Sequence, residues 1–136
     1  MSKSTAVPQR GNTQKIQPDQ WTTFLAKLTR DYRGAHARLE VLGSEVGYQV
    51  ETENKPFEGV SADLKNGAHA VWITLGSTPA DHLTHGIQDV TAIWARQPTG
   101  QAGPALEVER RDGTKTVLEL SHQEAFALPP PQASPS

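Results

Sequence analysis

The chain has 136 residues, 35% of them hydrophobic, with a formal net charge of −2 and no cysteine. That length suffices for one domain with one core. The charge offers no footprint for a phosphate backbone, and the missing cysteine excludes disulfides, thiolate nucleophiles and cysteine-held zinc.

The first residues, "MSKSTAVPQRGNTQKIQ", carry Lys3, Arg10 and Lys15 against no acid. They lack the apolar stretch of a secretory signal, and no run in the chain reaches the roughly 18–20 apolar residues that cross a bilayer. A soluble cytoplasmic protein is expected. Residues 1–15 are polar and aperiodic and read as a disordered tail. The end, "LPPPQASPS", reads as a second one, because consecutive prolines join neither a helix nor a central strand. Residues 16–122 are left as a single domain, with 123–136 as the Pro-rich tail.

The clearest element is "IQPDQWTTFLAKLTRDYRG". Trp21, Phe24, Leu25, Leu28 and Tyr32 line one face of an α-helix. Pro18 suits the first turn. With Gln17 as the N-cap, Ile16 and Trp21 occupy the positions of a hydrophobic staple. Asp19 at the start and Arg30 and Arg33 near the end complement the dipole, and Gly34 supplies a left-handed stop.

After Gly34 the period changes from 3.6 to 2. In "AHARLEVL", Ala37, Leu39 and Val41 share one face. In "VGYQVETE", Val46, Tyr48 and Val50 oppose Gln49, Glu51 and Glu53. "FEGVSADL" follows, then a turn at Asn66-Gly67, a strong hairpin signal. "HAVWITLG" is apolar on both sides, with Val71, Ile73 and Leu75 opposite Ala70 and Trp72, which predicts a strand covered on both faces. "VTAIWAR" is a further strand and "QPTGQAGP" a loop. "ALEVERRDGTKTVLEL" is a hairpin turning at Asp112-Gly113, with Leu106 and Val108 facing Leu118 and Leu120. The sum is an α+β fold: one N-terminal amphipathic helix packed on a strongly curved, mostly antiparallel sheet of six or seven short strands, open or partly closed into a barrel. Trp72 and Trp94 are expected in the core, the alternative being an oligomer interface.

The stretch "TPADHLTHGIQDV" collects donors for a metal: Asp81, His82, His85 and Asp89, with His69 as a further ligand. A first-row metal needs converging donors. His82 and His85 converge only if a helical turn spans Asp81–His85, since on a strand they point to opposite faces. The alternative reading puts Leu83, His85 and Ile87 on an inward row, His82 outward, and a turn or bulge at Gln88–Asp89 where the parity switches.

Other chemistry is thinly represented. There is no HExxH, no GxSxG elbow and no phosphate-binding glycine loop. Glu107 with Glu109, and Glu51 with Glu53, stand two apart on strands, the pattern of a solvated face. Arg110, Arg111 and Lys115 form the one basic cluster, offset by Glu107, Glu109 and Asp112. Between Glu40 and Asp63 the acids outnumber Lys55 and predict an acidic face.

Taken in order, "WTTFLAKLTRDYRG", "LEVLGSEVGYQ", "FEGVSADLKNG", "ITLG", "DHLTHGIQDVTAIW" and "LEVERRDGTKTVLEL" resemble a bacterial family of short, uncharacterised single-domain proteins. The family has a Trp-and-Phe helix, a mid-chain LTH and a closing DG hairpin. The resemblance spans roughly residues 17–120. It departs where the family has a proline soon after the histidine of "LTHGIQDV" and this chain has Asp89 nearby. It implies one domain with terminal tails and brings no activity, cofactor or partner. The reading from sequence is a small non-enzymatic binding or protein-interaction module of the bacterial cytoplasm. It is a monomer or small homo-oligomer, with no cofactor, no nucleic acid and no membrane, and its partner is an unspecified protein or small molecule. The alternative is a metal-binding protein or metal-dependent enzyme using His82 and His85 with Asp81 or Asp89.

Overall fold

The computed structural model describes residues 13–43, 47–65, 69–98 and 103–121. Residues 1–12 and 123–136 of the expected tails, His122 of the expected domain, Val46, the Asn66-Gly67 turn and residues 99–102 lie outside them. The elements are β1 (Thr13–Ile16), a 3-10 turn (Pro18–Gln20), α1 (Trp21–Tyr32), β2 (His36–Gly43), β3 (Gly47–Asp63) and β4 (Ala70–Leu75). A second 3-10 turn (Pro79–Asp81) is followed by β5 (Leu83–Ile87), β6 (Val90–Arg96), β7 (Ala105–Arg110) and β8 (Lys115–Ser121). The fold is α+β, with one helix on an antiparallel sheet of eight strands among the described residues, in the order β1-β6-β7-β8-β2-β3-β4-β5.

The helix begins as its sequence dictates. Trp21 is buried, and its indole N–H donates to the Ile16 carbonyl (2.9 Å), so the stapled aromatic has its polar edge satisfied. Leu25 and Leu28 are buried beside it, and Gly34 takes the left-handed conformation (φ 93°) that ends the helix. The segment expected as a tail contributes β1, whose residues 13–15 pair with β6 at Arg96, Ala95 and Trp94. Its polar sequence has no period of its own, so its structure is imposed by the partner strand.

β3 is one strand of 17 residues where the sequence reads as two. Its first part pairs with β2 and its second with β4. Pro56 lies where the partner changes, so its missing N–H falls at a break in the ladder. The backbone edge left open on the second half is covered by the helix. Thr29 Oγ1 accepts from Val60 N–H (2.9 Å) and donates to Val60 C=O (3.1 Å). Arg33 Nε donates to Glu58 C=O (3.1 Å), Gly34 N–H to Phe57 C=O (2.8 Å), and Phe57 N–H to Ala35 C=O (2.7 Å). The edge that would otherwise invite a foreign strand is therefore occupied from within.

The sheet must bend sharply. β5 and β6 are joined by Gln88 and Asp89 alone, yet lie six places apart in the strand order. A flat sheet would separate them by about 29 Å at ~4.8 Å per strand, while three residue steps reach about 11 Å at most. Only a sheet curled back on itself satisfies both. It is not closed into a barrel, so β1 and β5 remain the two ends. Leu39, Phe57, Ile73, Leu75, Ile93, Leu106 and Leu118 fill the concave side together with the helix.

Three positions expected to be covered are outside. Tyr48 is 57% and Val50 36% exposed, because the register sets them opposite Leu42 and Glu40, on the outward face of β2. Trp72 is 39% exposed. Its parity opposite Val71, Ile73 and Leu75 is as expected, but the helix lies on the other face and leaves this one uncovered.

Candidate functional site

Around Trp72 the sequence builds a small outward platform. In the β4–β5 register Trp72 stands opposite Gly86 and Thr74 opposite Thr84. A Cβ on Gly86 would lie 2.3 Å from the Trp72 ring, so the indole rests on the bare backbone of its neighbour. Only glycine permits that seat. The outer ladder of β5 is not paired with another strand among the described residues.

The loop from β4 to β5 is locked by its own side chains. Asp81 Oδ1 accepts from Thr78 N–H (2.8 Å), Thr78 Oγ1 (2.9 Å) and Ser77 N–H (3.2 Å). The backbone and side-chain bonds from Thr78 hold its carboxyl below the usual range, helped by the charge of Lys55. Lys55 Nζ donates to the Asp81 carbonyl (3.0 Å). Gly76 has φ 104°, and a Cβ there would sit 2.4 Å from that same carbonyl oxygen. The Thr78-Pro79-Ala80-Asp81 run is thus a capping box, a signal present in the sequence. Beside it Glu58, Ser77, Thr78, Pro79 and His82 line an open cleft of about 470 Å³.

The histidines go separate ways. The 3-10 turn ends at Asp81, His82 is extended and exposed, and β5 starts at Leu83. Leu83 and His85 are half-buried and Ile87 buried, on the inward row. Burial lowers the pKa of His85 against an opposing pull from Glu51. His69 sets its ring edge-on to Trp21 (5.3 Å between centroids, 77°), and its carbonyl accepts from Val90 N–H (3.0 Å). Asp89 has φ 56°, a left-handed conformation that aspartate tolerates and that supplies the expected turn. The Asp89 carbonyl accepts from Arg111 N–H (2.8 Å) and the Gln88 carbonyl from Arg110 Nε (3.0 Å), tying the link to the β7–β8 hairpin. Among the described residues no three His, Asp or Glu side chains are grouped to hold a metal.

The charged strand faces are internally paired. Lys115 meets Glu107 (3.6 Å), Arg110 meets Asp112 (3.7 Å), and Arg38 pairs with Glu40. Trp94 is half-buried on the outer face with Lys15 over its ring (5.7 Å). Sequence reasoning passed over Arg96. Its Nη2 donates to Gly103 C=O (3.1 Å), while its buried Nε has no partner among the described residues. Nothing in "VTAIWAR" marks that arginine, since its surroundings come from α1 and the approach to β7.

Residues 12–130 match the model of the Family of unknown function (DUF5335). An uncharacterised protein of Aquifex aeolicus (strain VF5) is 27% identical over 117 residues, covering 86% of this chain and 97% of its own. No solved structure gives a significant match.

Proposed function

We propose that this chain, which belongs to the DUF5335 family of unknown function, is a non-catalytic protein-interaction module of the cytoplasm. Its contact surface is the outer face of β4 and β5 with the adjoining 76–82 loop. The observation that carries the reading is Trp72: a large aromatic, 39% exposed, seated on Gly86 beside a strand edge that another chain can pair with. Aromatic anchors of this kind dominate many protein contacts. No helix among the described residues is long and apolar enough to cross a membrane, so the proposal needs no bilayer. It also takes the single domain, expected over 16–122, to begin with β1 at Thr13 and to lie between two tails, and a monomer or small homo-oligomer as the resting state, which light scattering measures.

The test is capture from the native host with the full-length chain and with Trp72→Ala. The module reading requires a partner that the parent retains and the variant loses. Capture unchanged by Trp72→Ala sinks the surface, and substrate turnover that depends on His82 or His85 sinks the non-catalytic reading.

The rival proposal is metal binding by His82 and His85 with Asp81 or Asp89. It requires the extended His82–His85 backbone to rearrange and Asp81 to surrender its loop bonds. Elemental analysis of untagged protein decides it: stoichiometric zinc, manganese, iron or nickel, lost in His82→Ala, is the outcome it demands.

A further inference from the structure

The outer face of β1, β6, β7 and β8 carries a dent whose place follows from strand register. One cross-strand row runs Thr13, Arg96, Ala105, Glu119, and the row beside it runs Lys15, Trp94, Glu107, Val117. Ile93, Ala95, Leu106, Val108 and Leu118 alternate with them and are buried, so both rows look outward. Ala105 is the one methyl-sized side chain in either row. It floors a cavity of about 160 Å³ walled by Trp94, Arg96, Glu107, Val117 and Glu119.

Charge is divided across this cavity. On the β1–β6 flank stand Arg96 and Lys15, whose Nζ lies 5.7 Å from the centre of the Trp94 ring. On the β7–β8 flank stand Glu107 and Glu119. Arg96 gives Nη2 to the Gly103 carbonyl (3.1 Å) and forms no ion pair among the described residues. Its Nε is occluded, so contact with anything in the cavity falls to the terminal nitrogens. Glu107 meets Lys115 at 3.6 Å, whereas Glu119 meets Arg38 at 3.8 Å and shares it with Glu40. Arg96 and Glu119 stand two strand spacings apart, about 10 Å, with Ala105 between them.

We propose that the dent binds a small zwitterion, an α-amino acid with an aliphatic side chain. Its carboxylate lies toward Arg96, its ammonium toward Glu119, and its side chain between Trp94 and Val117. Sign selects the class. A simple anion meets the two glutamates across the cavity, and a simple cation meets Arg96 and Lys15; a ligand carrying both charges complements both flanks. Size agrees, since the cavity is smaller than the about 300 Å³ at which drug-sized sites begin. The guanidinium fork suits a carboxylate. The floor is also rigid, because β6, β7 and β8 are each paired on both sides. The inference is independent of the Trp72 surface on β4 and β5 and stands if that reading fails.

The test is titration of the isotope-labelled full-length protein with L-alanine, L-valine and L-leucine, and with the two halves of valine, isovalerate and isobutylamine. At least one amino acid should saturate shifts confined to the amides of Trp94–Arg96, Ala105–Glu107 and Val117–Glu119. Each half of valine should bind at least about tenfold more weakly than valine, the loss of one charge-assisted contact. Ala105→Leu fills the dent without touching a charge and should abolish the shifts while the rest of the spectrum is kept. Arg96→Met should weaken valine and leave isobutylamine unchanged; Glu119→Gln should weaken valine and leave isovalerate unchanged. Saturation by none of the three amino acids would overturn the proposal, as would shifts that survive in Ala105→Leu. Isovalerate or isobutylamine binding as tightly as valine would overturn the zwitterion assignment.

Discussion

His85 occupies a place that an apolar side chain would fill more cheaply. It stands on the inward row between Leu83 and Ile87, and the cost of charging it there lowers its pKa from 6.5, although Glu51 pulls the other way. The sign follows from linkage. As pH falls through 6.5 the unfolded chain takes up a proton that the folded chain still refuses, so stability is lost from that point down to the lower folded value. Chemical unfolding followed from about pH 7.5 to about pH 5 should show this loss, and His85→Gln should flatten it. A parent curve no steeper than that of the variant would refute the assignment. The bonded carboxylates of Asp31, Asp81 and Asp112 have pKa values lowered from 3.8. They act in a separate window: their contribution is present above 3.8 and fades as pH drops below it. Strand parity alone placed His85 inward and His82 outward. It was silent about Glu51, whose charge acts on His85 from another strand.

At the scale of elements, the helix was almost wholly legible, since the staple of Ile16 and Trp21, the apolar face and the Gly34 stop are all local. What it packs against was not. Thr29 reads as one more polar residue on the outer face, yet it satisfies both backbone groups of Val60 on the open edge of β3. Gly59 lets it come that close, since a Cβ there would lie 3.2 Å from Thr29 Cγ2. Thr29→Val keeps the shape and removes both hydrogen bonds, leaving partly buried groups unpaired. Denaturant unfolding should report a loss of about 1–3 kcal/mol, whereas Thr29→Ser should retain most of the stability. Equal losses in the two variants would mean that packing, not the hydroxyl, holds helix to strand. The uncovered face of Trp72 has a related cause. Alternation shows that a strand has two apolar sides, but which side the helix takes is decided by β3, outside the window in which alternation is read.

For the whole molecule, the hairpins were legible from their turn chemistry. Gly113 (φ 91°) and the bond from Thr114 N–H to Asp112 Oδ1 (2.9 Å) form the expected β7–β8 turn. The strand count and the lack of closure were not, because both depend on distant pairings. β1 is ordered by β6, some eighty positions away. β5 is uncharged apart from the potential charge on His85, and no sequence rule says whether such an edge meets β1, a partner or solvent. The donors that stand close together in "DHLTHGIQD" are distributed between a loop cap (Asp81), an exposed extended position (His82), an inward row (His85) and a left-handed turn (Asp89), which spacing along one segment does not show.

The shared strand β3 also bears on how the molecule comes apart. Its first part belongs to the ladder with β2 and its second to the ladder with β4, so one continuous strand joins the two ladders across Pro56. That junction, together with the core shared by both ladders, couples the opening of one to the opening of the other. Native-state amide exchange should find Leu39 in β2 and Ile73 in β4 protected to the same free energy, equal to that of global unfolding. The ends β1 and β5, each held along one side, should exchange through smaller openings. A lower ceiling on one side of Pro56 than on the other would show two cooperative units where continuity of the backbone predicts one.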